Sequence, residues 1–431
     1  MPSVLRPQAM LSLRTSPRRI LSLTPRSPPA TTAPITHQQR RHKSGPYGYT
    51  QAKALVFSTF GEPRDVLRLH THSISPSLPP GAAVIRALAA PVNPADVNTV
   101  QGTYGSKPDY SRGQLALGTA EPAAVPGNEG CFEVVSVSSG VKLRRGDWVI
   151  PAGSGFGTFR THALVENADA ALLRIGGDKG HEGLTAAQVA TVSVNPCSAW
   201  RMLRDYVDLI GLSVASFSRG EDGGGAWFLQ NGANSGVGRA AVQLGRLWGL
   251  RSINVVRERS TAEETAALKA ELAALGATVV VTEGEFLDRA FGARLRDEWT
   301  RGGRDPVMLG LNCVGGKSAA AVVRSLSARG TMVTYGGMSR QSFPFPTGPQ
   351  IFKRLRFEGF WLSEWNRENP AEKRKTVDAI IELMRDGKFQ MAPVQEVRWD
   401  WDTEEQVLKD AVQGTLEGFR SGKGLFTFGD T

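Results

Sequence analysis

The feature that most constrains the fold is a glycine-rich turn, Asn-Gly-Ala-Asn-Ser-Gly-Val-Gly, at residues 231–238. An apolar run precedes it at residues 226–229, and an amphipathic helical pattern follows it at residues 239–250. The order strand, turn, helix is that of a dinucleotide-binding unit in a parallel α/β sheet. Gly236 and Gly238 allow the backbone to approach a pyrophosphate, and the helix N-terminus offers that group unpaired N–H donors. The turn therefore predicts a nucleotide-binding α/β domain.

Two arginines follow the next strand, which we place at residues 252–256. An NAD site usually carries an acidic residue there, which hydrogen-bonds a ribose 2′-hydroxyl. Arg257 and Arg259 instead offer forked donors suited to a 2′-phosphate. One charge pair near 4 Å contributes about 4 kcal/mol at a surface-like dielectric. We predict NADPH as the cofactor, with Glu258 as the discordant residue and a surface glycine loop with solvated arginines as the alternative.

Apolar strands and helical stretches alternate regularly after this turn. We expect a helix at residues 262–275, ended by Gly276, and strands at residues 278–281, 307–313, 332–335 and 355–361. The strands are almost continuously apolar, as in a parallel sheet covered by helices on both faces. The fold class is therefore α/β, with a doubly wound parallel sheet in the nucleotide-binding part.

The region before the turn is rich in short strands. We place them at residues 53–57, 65–69, 83–88, 130–137 and 147–150, which predicts a β-rich, partly barrel-like domain. A helix is expected at residues 184–206, and an exposed glycine-rich loop at residues 216–225. In the tail we expect a helix at residues 371–386 and strands up to Phe428, which could return to complete the first domain.

The charge is concentrated in the first residues of the chain. Residues 1–45 hold eight of the cations behind the formal net charge of +10, and the first acidic residue is Glu62. Residues 1–46, rich in Ser, Thr and Pro, have the composition of a mitochondrial transit peptide, and a generic disordered tail is the alternative. The remaining chain carries about +2, which disfavours nucleic acid as a partner. No apolar run is long enough to span a bilayer.

The cysteines and histidines do not indicate a metal site. Cys131, Cys197 and Cys313 are widely spaced, which disfavours both a disulfide framework and a cysteine-rich zinc site. None of the six histidines stands at ligand spacing from a cysteine. His70 and His72 alternate along an expected strand and could share a face, but no acidic or thiol partner is near them in sequence. We expect no metal.

Ten short motifs occur in one order along residues 50–431. They are NPAD at 93–96, QGTYG at 101–105, GNEG at 127–130, GDWV at 146–149, NPC at 195–197, NSGVG at 234–238, NVVRER at 254–259, NCVGGK at 312–317, TYGGM at 334–338 and GFWLS at 359–363. With these motifs, the chain resembles the mitochondrial trans-2-enoyl reductases of the medium-chain dehydrogenase/reductase superfamily. Zinc-dependent members of that superfamily carry Gly-His-Glu where this chain has Asn128, so the zinc-free branch is the better match.

The resemblance implies a GroES-like catalytic domain at residues 47–195 and 361–431, interrupted by a Rossmann domain at residues 196–360. It implies NADPH-dependent reduction of 2-enoyl thioesters in mitochondrial fatty acid synthesis, in the matrix, by a homodimer. Tyr104 matches the family's proton-donating tyrosine. The residues that match NADPH contacts are Asn195, Asn234, Ser235, Gly236, Val237, Arg257, Glu258, Arg259, Tyr335, Gly336, Gly337, Met338, Phe360, Trp361, Leu362, Ser363 and Lys423.

The implied reaction delivers a hydride from the nicotinamide to the β-carbon and a proton to the α-carbon, so the protein must supply geometry, a proton source and stabilisation of the enolate oxygen. A tyrosine hydroxyl is protonated at neutral pH and can donate. Tyr104 lies in a flexible Gly-Thr-Tyr-Gly turn that can present it to a cleft. Asn93 and Asp96 are expected to organise a turn before a helix, with Asp96 as a cap.

Other interpretations stay open at this point. Lys353, Arg354 and Arg356 form a basic cluster that could dock an acidic acyl carrier protein, or could be a solvated strand edge. An NADPH-dependent quinone reductase of the same fold is one alternative function. A nucleotide-binding regulatory protein is another, but no recognised nucleic-acid motif is present.

We expect the protein without residues 1–46 to oxidise NADPH in the presence of a short 2-enoyl-CoA, and to use NADH far less well. The 2′-phosphate contacts of Arg257 and Arg259 should favour NADPH by about a hundredfold or more in kcat/KM. Nicotinamide absorbance measures both rates under the same conditions. Equal kcat/KM values for NADPH and NADH would contradict the assignment of the two arginines.

Overall fold

The computed structural model describes residues 45–111, 117–218, 224–343, 345–416, 422–429 and 431. The expected leader lies outside these residues except for its last two positions. Within the described part the strands form one two-stranded, one six-stranded and one seven-stranded sheet. A search of the described helices for a long apolar segment of membrane-crossing length gives none.

The elements in chain order give the labels used below. The described strands are β1 (Thr50–Val56), β2 (Arg68–Ile74), β3 (Ala83–Pro91), β4 (Cys131–Val137), β5 (Trp148–Pro151), β6 (His162–Val165), β7 (Leu172–Arg174), β8 (Trp227–Gln230), β9 (Arg251–Val256), β10 (Val279–Thr282), β11 (Val307–Asn312), β12 (Thr331–Thr334), β13 (Arg356–Gly359), β14 (Val394–Trp399) and β15 (Lys423–Phe428). The labelled helices are α1 (Pro63–Val66), α2 (Pro94–Val100), α3 (Ala168–Ala171), α4 (Ala186–Ala190), α5 (Asn195–Asp205), α6 (Leu209–Ser218), α7 (Gly236–Leu247), α8 (Ala262–Leu275), α9 (Glu283–Leu287), α10 (Phe291–Arg294), α11 (Gly316–Ser325), α12 (Thr347–Lys353), α13 (Leu362–Glu368), α14 (Pro370–Arg385) and α15 (Glu405–Gln413).

The six-stranded sheet is parallel throughout, in the order β10-β9-β8-β11-β12-β13. This is the Rossmann order, in which ligands bind beyond the carboxyl ends of the strands. Strands β8 and β11 are almost wholly buried, because helices cover both faces. The predicted doubly wound parallel sheet is confirmed.

The seven-stranded sheet has the order β14-β15-β3-β4-β5-β7, with β6 also paired to β3. Its core contains Phe132, Phe159, Trp399 and Phe426. Strand β15, from the end of the chain, pairs antiparallel with β3 near its beginning. The tail of the chain, which follows the Rossmann strands in sequence, therefore returns to the first sheet, as expected.

One hydrophobic core connects the two sheets. It includes Ala89 and Leu425 from the β-rich sheet and Phe228, Ala240 and Leu244 from the Rossmann unit. Helices α5 and α7 pack against each other within it. The first residues of these two helices therefore lie side by side, at the carboxyl edge of the parallel sheet.

Two element boundaries in the first half differ from the predictions. The strand expected at residues 65–69 is partly helix, because Pro63 begins the short helix α1 and β2 starts only at Arg68. The single helix expected at residues 184–206 is two helices, α4 and α5. They are separate because Glu129 binds the N–H of Val194 at 2.7 Å and Pro196 starts a new helix.

The second half also holds differences. The exposed loop expected at residues 216–225 is wrong for residues 216–218, which end helix α6, whereas residues 219–223 lie outside the described residues. Helix α15 was not predicted, although its apolar residues Val407, Leu408, Ala411 and Val412 follow helical spacing. The strand predicted at residues 355–361 agrees with β13 to within two residues at each end. The helix predicted at residues 371–386 agrees with α14 to within one residue at each end.

Candidate active site

The glycine-rich turn lies at the carboxyl end of β8 and begins helix α7. The Ser235 hydroxyl accepts the Gly238 N–H at 3.1 Å and so caps this helix. A Cβ atom on Gly238 would lie 2.5 Å from the Ala233 carbonyl oxygen, so only glycine allows the tight turn. Asn234, Ser235 and Gly236 line a groove of about 790 Å³, with its open mouth included, whose other wall belongs to the β-rich domain.

A buried arginine holds the turn in place. Arg239 donates through Nε to the Asn234 side-chain oxygen at 2.8 Å and binds Glu271 through both terminal nitrogens, at 2.8 and 2.7 Å. Hydrogen bonding to Arg239 lowers the pKa of Glu271 below its ordinary value. Arg239 was not predicted as a site residue, since a single arginine in a helix carries no motif.

The two arginines expected at a 2′-phosphate follow β9 at the same edge of the sheet. Arg257 is exposed and Arg259 is half-buried, and the Arg259 N–H donates to the Thr265 hydroxyl at 2.9 Å. The Glu258 carboxylate accepts the backbone N–H of Gly284 at 2.9 Å. Glu258, the acidic residue that did not fit an NADPH site in the sequence, thus binds the first turn of α9.

Tyr104 is held by the end of helix α2. Its backbone N–H, like that of Thr103, donates to the Asn98 carbonyl, at 3.1 and 2.9 Å. Gly102 has φ of +72°, and a Cβ atom there would lie 2.6 Å from the Phe60 ring, so the turn requires glycine at this position. The turn is fixed by these contacts and presents Tyr104 to the cleft.

Two predicted segments that are far apart in sequence meet at the Tyr104 hydroxyl. The indole Nε1–H of Trp361 donates to the Tyr104 oxygen at 2.9 Å, and the Ser363 hydroxyl lies 3.4 Å from that oxygen. The Tyr104 and Trp361 rings pack edge to face, with centroids 6.0 Å apart. Because the phenol oxygen accepts the Trp361 hydrogen, its own proton stays available to another acceptor.

The other residues carried over from the family lie around the same edge of the sheet. Tyr335 follows β12 and lies beside Cys313 and Ser235. Burial raises the pKa of its hydroxyl well above the ordinary value. Met338, after the glycines 336 and 337, is 54% exposed. The buried side chains among these residues, which support the site from the core, are Val237, Phe360 and Leu362.

Asn93 connects four segments of the site. Its side-chain oxygen accepts Lys423 Nζ at 2.6 Å and faces Asn195 Nδ2 at 3.4 Å. Its amide nitrogen donates to buried Glu129 at 2.8 Å. Its backbone N–H donates to Asp96 at 2.7 Å, so Asn93 itself is the N-cap of α2, and Asp96, which was expected as the cap, is the third helical residue and completes a capping box. The interpretation of Asn93 as a turn residue was incomplete, although its NPAD motif was a usable signal.

Asn128 is the residue at which the zinc-dependent branch of the superfamily was expected to differ from this chain by a histidine. It donates to Asp96 at 2.6 Å and accepts the Gly155 N–H at 2.8 Å. Both ends of this amide are thus used, one on helix α2 and the other on the loop at residues 153–157. In the described part of the chain, no group of three or more His, Cys, Asp or Glu side chains is arranged to hold a metal ion.

A polar cleft opens beside Tyr104, with a volume of about 440 Å³ including its mouth. Lys373 of α14 lies in its wall and donates to the carbonyls of Pro151 and Ala152, at 3.2 and 2.6 Å. Burial lowers the pKa of Lys373. Lys373 and Asn366 were not predicted, because both are isolated polar residues on helices and carry no motif.

The basic cluster at residues 353–356 lies at the amino end of β13, opposite the carboxyl ends that carry the nucleotide groove. Lys353 Nζ donates to the carbonyls of Arg324 and Leu326, at 2.9 and 2.7 Å, and so ends helix α11. Arg356 is the first residue of β13, whereas Tyr104 and the nucleotide groove lie at the carboxyl ends of the strands. The cluster therefore lies away from the cleft, which disfavours its use as a docking site for a carrier protein.

This fold and this site define a nucleotide-dependent oxidoreductase of the alcohol dehydrogenase type. The family described as alcohol dehydrogenase GroES-like domain matches residues 79–197. The family described as zinc-binding dehydrogenase matches residues 236–382.

Similarity to curated proteins indicates which family of this class the chain belongs to. The mitochondrial enoyl-[acyl-carrier-protein] reductase of Yarrowia lipolytica is 43% identical over 342 residues, which are 79% of this chain and 82% of that protein. An NADPH quinone oxidoreductase of Kluyveromyces marxianus is 37% identical over 82% of this chain and 87% of its own length. The chain belongs to the family of mitochondrial enoyl-[acyl-carrier-protein] reductases.

Solved structures agree with this assignment. The complex of Etr1p with NADP and crotonyl-CoA has a TM-score of 0.78 and 39% identity, and covers 88% of this chain and 99% of that one. The Etr1p/Etr2p heterodimer, a mitochondrial 2-enoyl thioester reductase from Candida tropicalis, gives the same values.

The buried carboxyl of Asp96 generates a pH prediction. Desolvation raises its pKa from 3.8 to about 6, against hydrogen bonds from Asn93 and Asn128 that act in the opposite direction. A raised folded-state pKa gives stability that is complete below about 3.8 and is lost as pH rises through about 6. Relative to Asp96→Asn, the wild-type free energy of unfolding should therefore fall by up to about 3 kcal/mol across this window.

Urea denaturation of both proteins at several pH values between 4 and 7 measures this difference. Other titrating groups cancel in the comparison because the two chains share them. A difference that stays constant across the window would show that Asp96 titrates alike in the folded and unfolded states.

Proposed function

We propose that this protein reduces trans-2-enoyl thioesters to saturated acyl thioesters with NADPH. The observation that carries the proposal is the Tyr104 hydroxyl, which accepts the Trp361 N–H at 2.9 Å beside a polar cleft. The nucleotide groove of the Rossmann domain lies at the same carboxyl edge of the sheet. A proton donor and a nucleotide site thus share one junction between the domains, as a reductase requires.

The residues around the groove fit NADPH. The first turn of α7 offers N–H groups to a pyrophosphate, and Arg257 and Arg259 supply positive charge for a 2′-phosphate. The carboxylate of Glu258, between the two arginines, is held by the Gly284 N–H. Lys423, held by Asn93 at 2.6 Å, adds a cation to the groove wall. When bound, NADPH supplies the hydride for the β-carbon of the substrate.

Tyr104 supplies the proton for the α-carbon. The Trp361 N–H bonds to the phenol oxygen and stabilises negative charge on it as the proton leaves. Ser363, 3.4 Å away, places a second hydroxyl in the cleft, where it can hydrogen-bond the thioester oxygen. Asn93 and Glu129 hold the segments that carry these groups, and buried Phe360 and Leu362 fix the start of α13 behind them.

The organisation expected from the family supports the same function. We propose that residues 47–195 and 361–431 form the catalytic domain and residues 196–360 the Rossmann domain. The sheets support this division. Strands β3 and β15, from the two segments of the catalytic domain, pair with each other, and strands β8 to β13 of the Rossmann domain form one sheet. The chain is mitochondrial, and residues 1–46 direct it to the matrix.

Tyr104→Phe should lower kcat for a short 2-enoyl-CoA by about a hundredfold or more, because the proton donor is lost. The dissociation constant of NADPH, measured by nucleotide fluorescence, should change little. Tyr110→Phe is the matched control, since the buried Tyr110 hydroxyl has no hydrogen-bond partner among the described residues. Turnover unchanged in Tyr104→Phe would remove this residue from the reaction, and wild-type turnover of quinone alone would favour the quinone reductase.

We propose further that the protein is a homodimer that joins two copies through β13. This strand is the edge of the Rossmann sheet, and most of its residues are exposed. The preceding helix α12 exposes Ile351 to 64% and Phe352 to 86%. An exposed edge strand beside large apolar side chains is a surface that a second copy can cover.

Phe352→Asp should shift the protein from dimer to monomer, because it would bury a charge in an apolar contact. Light scattering after gel filtration measures the mass in solution. Val407→Asp, which changes an exposed apolar residue of α15 at the far end of the chain, should leave the dimer intact. A Phe352→Asp protein that remains dimeric at low micromolar concentration would place the interface elsewhere.

A further inference from the structure

The cleft beside Tyr104 contains a buried polar atom without a partner. Asn366 of α13 is only 9% exposed and lines the cleft. Its side-chain oxygen is buried and accepts no hydrogen bond from the described residues. A buried carbonyl oxygen left in this state costs free energy, and native proteins rarely keep one without a reason.

The other buried polar groups of the cleft wall are already engaged. Asn128 uses both ends of its amide, on Asp96 and on the Gly155 N–H. Ser193 donates to Glu129 at 3.2 Å. Lys373 donates to two backbone carbonyls. The open acceptor at Asn366 therefore lies in the wall of the cleft, where the N–H of a bound ligand can reach it.

The position of Asn366 shows which part of the substrate can do so. Asn366 and Ser363 are three residues apart on α13, so their Cβ atoms are about 5–6 Å apart on one face of the helix. Ser363 Oγ lies 3.4 Å from the Tyr104 oxygen, where the thioester reacts under the proposed function. In a pantetheine thioester, a two-carbon linker separates the sulfur from the first amide N–H. The first amide is therefore the N–H donor nearest to the reacting thioester, and Asn366 lies three residues from Ser363 in the cleft wall.

We infer that Asn366 is a specificity-determining residue whose side-chain oxygen accepts the first amide N–H of the pantetheine arm. This inference rests on the proposed thioester reduction. Coenzyme A and a carrier protein present the same arm, so the contact serves both forms of the substrate. It also discriminates against thioesters without that amide, because they leave the buried oxygen unpaired.

The test compares two small substrates, the N-acetylcysteamine thioester of crotonate, which has the amide, and its S-propyl thioester, which lacks it. Asn366→Leu should lower kcat/KM for the first about tenfold and change that for the second less than about twofold. Asn366→Asp keeps an acceptor and cannot donate, so it should retain most of the preference for the amide. Arg367→Ala, on the exposed face of the same helix, is the control and should change neither value.

Equal losses for both substrates in Asn366→Leu, or no loss for either, would overturn the inference, as would an Asn366→Asp variant that behaves like Asn366→Leu. Should Asn366→Leu not fold, Asn366→Ala gives the same ratio of the two substrates. Crotonyl-CoA and crotonyl-carrier protein should lose equal factors, and a loss confined to one of them would contradict a pantetheine contact. A wild-type protein that binds NADPH but reduces neither small thioester would instead refute the proposed function.

Discussion

The buried carboxylate of Glu129 is the interaction on which the site depends. It accepts hydrogen bonds from the Val194 N–H, the Ser193 hydroxyl and the Asn93 amide, and Asn93 in turn binds Lys423. A buried charge must be satisfied by well-placed donors, because leaving it unpaired costs about 3–5 kcal/mol. This requirement brings the end of β3, the start of α5 and the last strand of the chain to one point.

From that point the geometry of the cleft follows. The start of α5 lies against the start of α7, so the nucleotide turn faces the β-rich domain. Helix α2, which begins at Asn93, ends in the turn that carries Tyr104. Trp361 and Ser363 reach Tyr104 from the start of α13, the helix that follows the last strand of the Rossmann sheet. Each half of the active site is therefore held by one domain, and the buried polar junction aligns the halves.

The sequence predicted the Rossmann half well, because its signals are local. Buried parallel strands are continuous apolar runs, and the turn at residues 231–238 requires glycines next to a helix start. It predicted the β-rich half less well. The helix expected at residues 184–206 is broken by a contact with Glu129. Helix α1 was missed because four residues are too few to show a period, and α15 was missed despite its helical spacing of apolar residues. Lys373 and Asn366 carry no motif and are marked only by their burial in the cleft.

The sequence by itself determined the cofactor class and the parallel character of the Rossmann sheet, and it predicted Tyr104 as the proton donor, because glycine spacing, charge at a strand end and family motifs are written along the chain. The tertiary structure decided that Glu258 binds Gly284, that Lys353 caps a helix and that Trp361 donates to Tyr104. These outcomes depend on hydrogen bonds between residues that are distant in sequence, or between side chains and backbone groups. Such partners become defined only when the domains have packed.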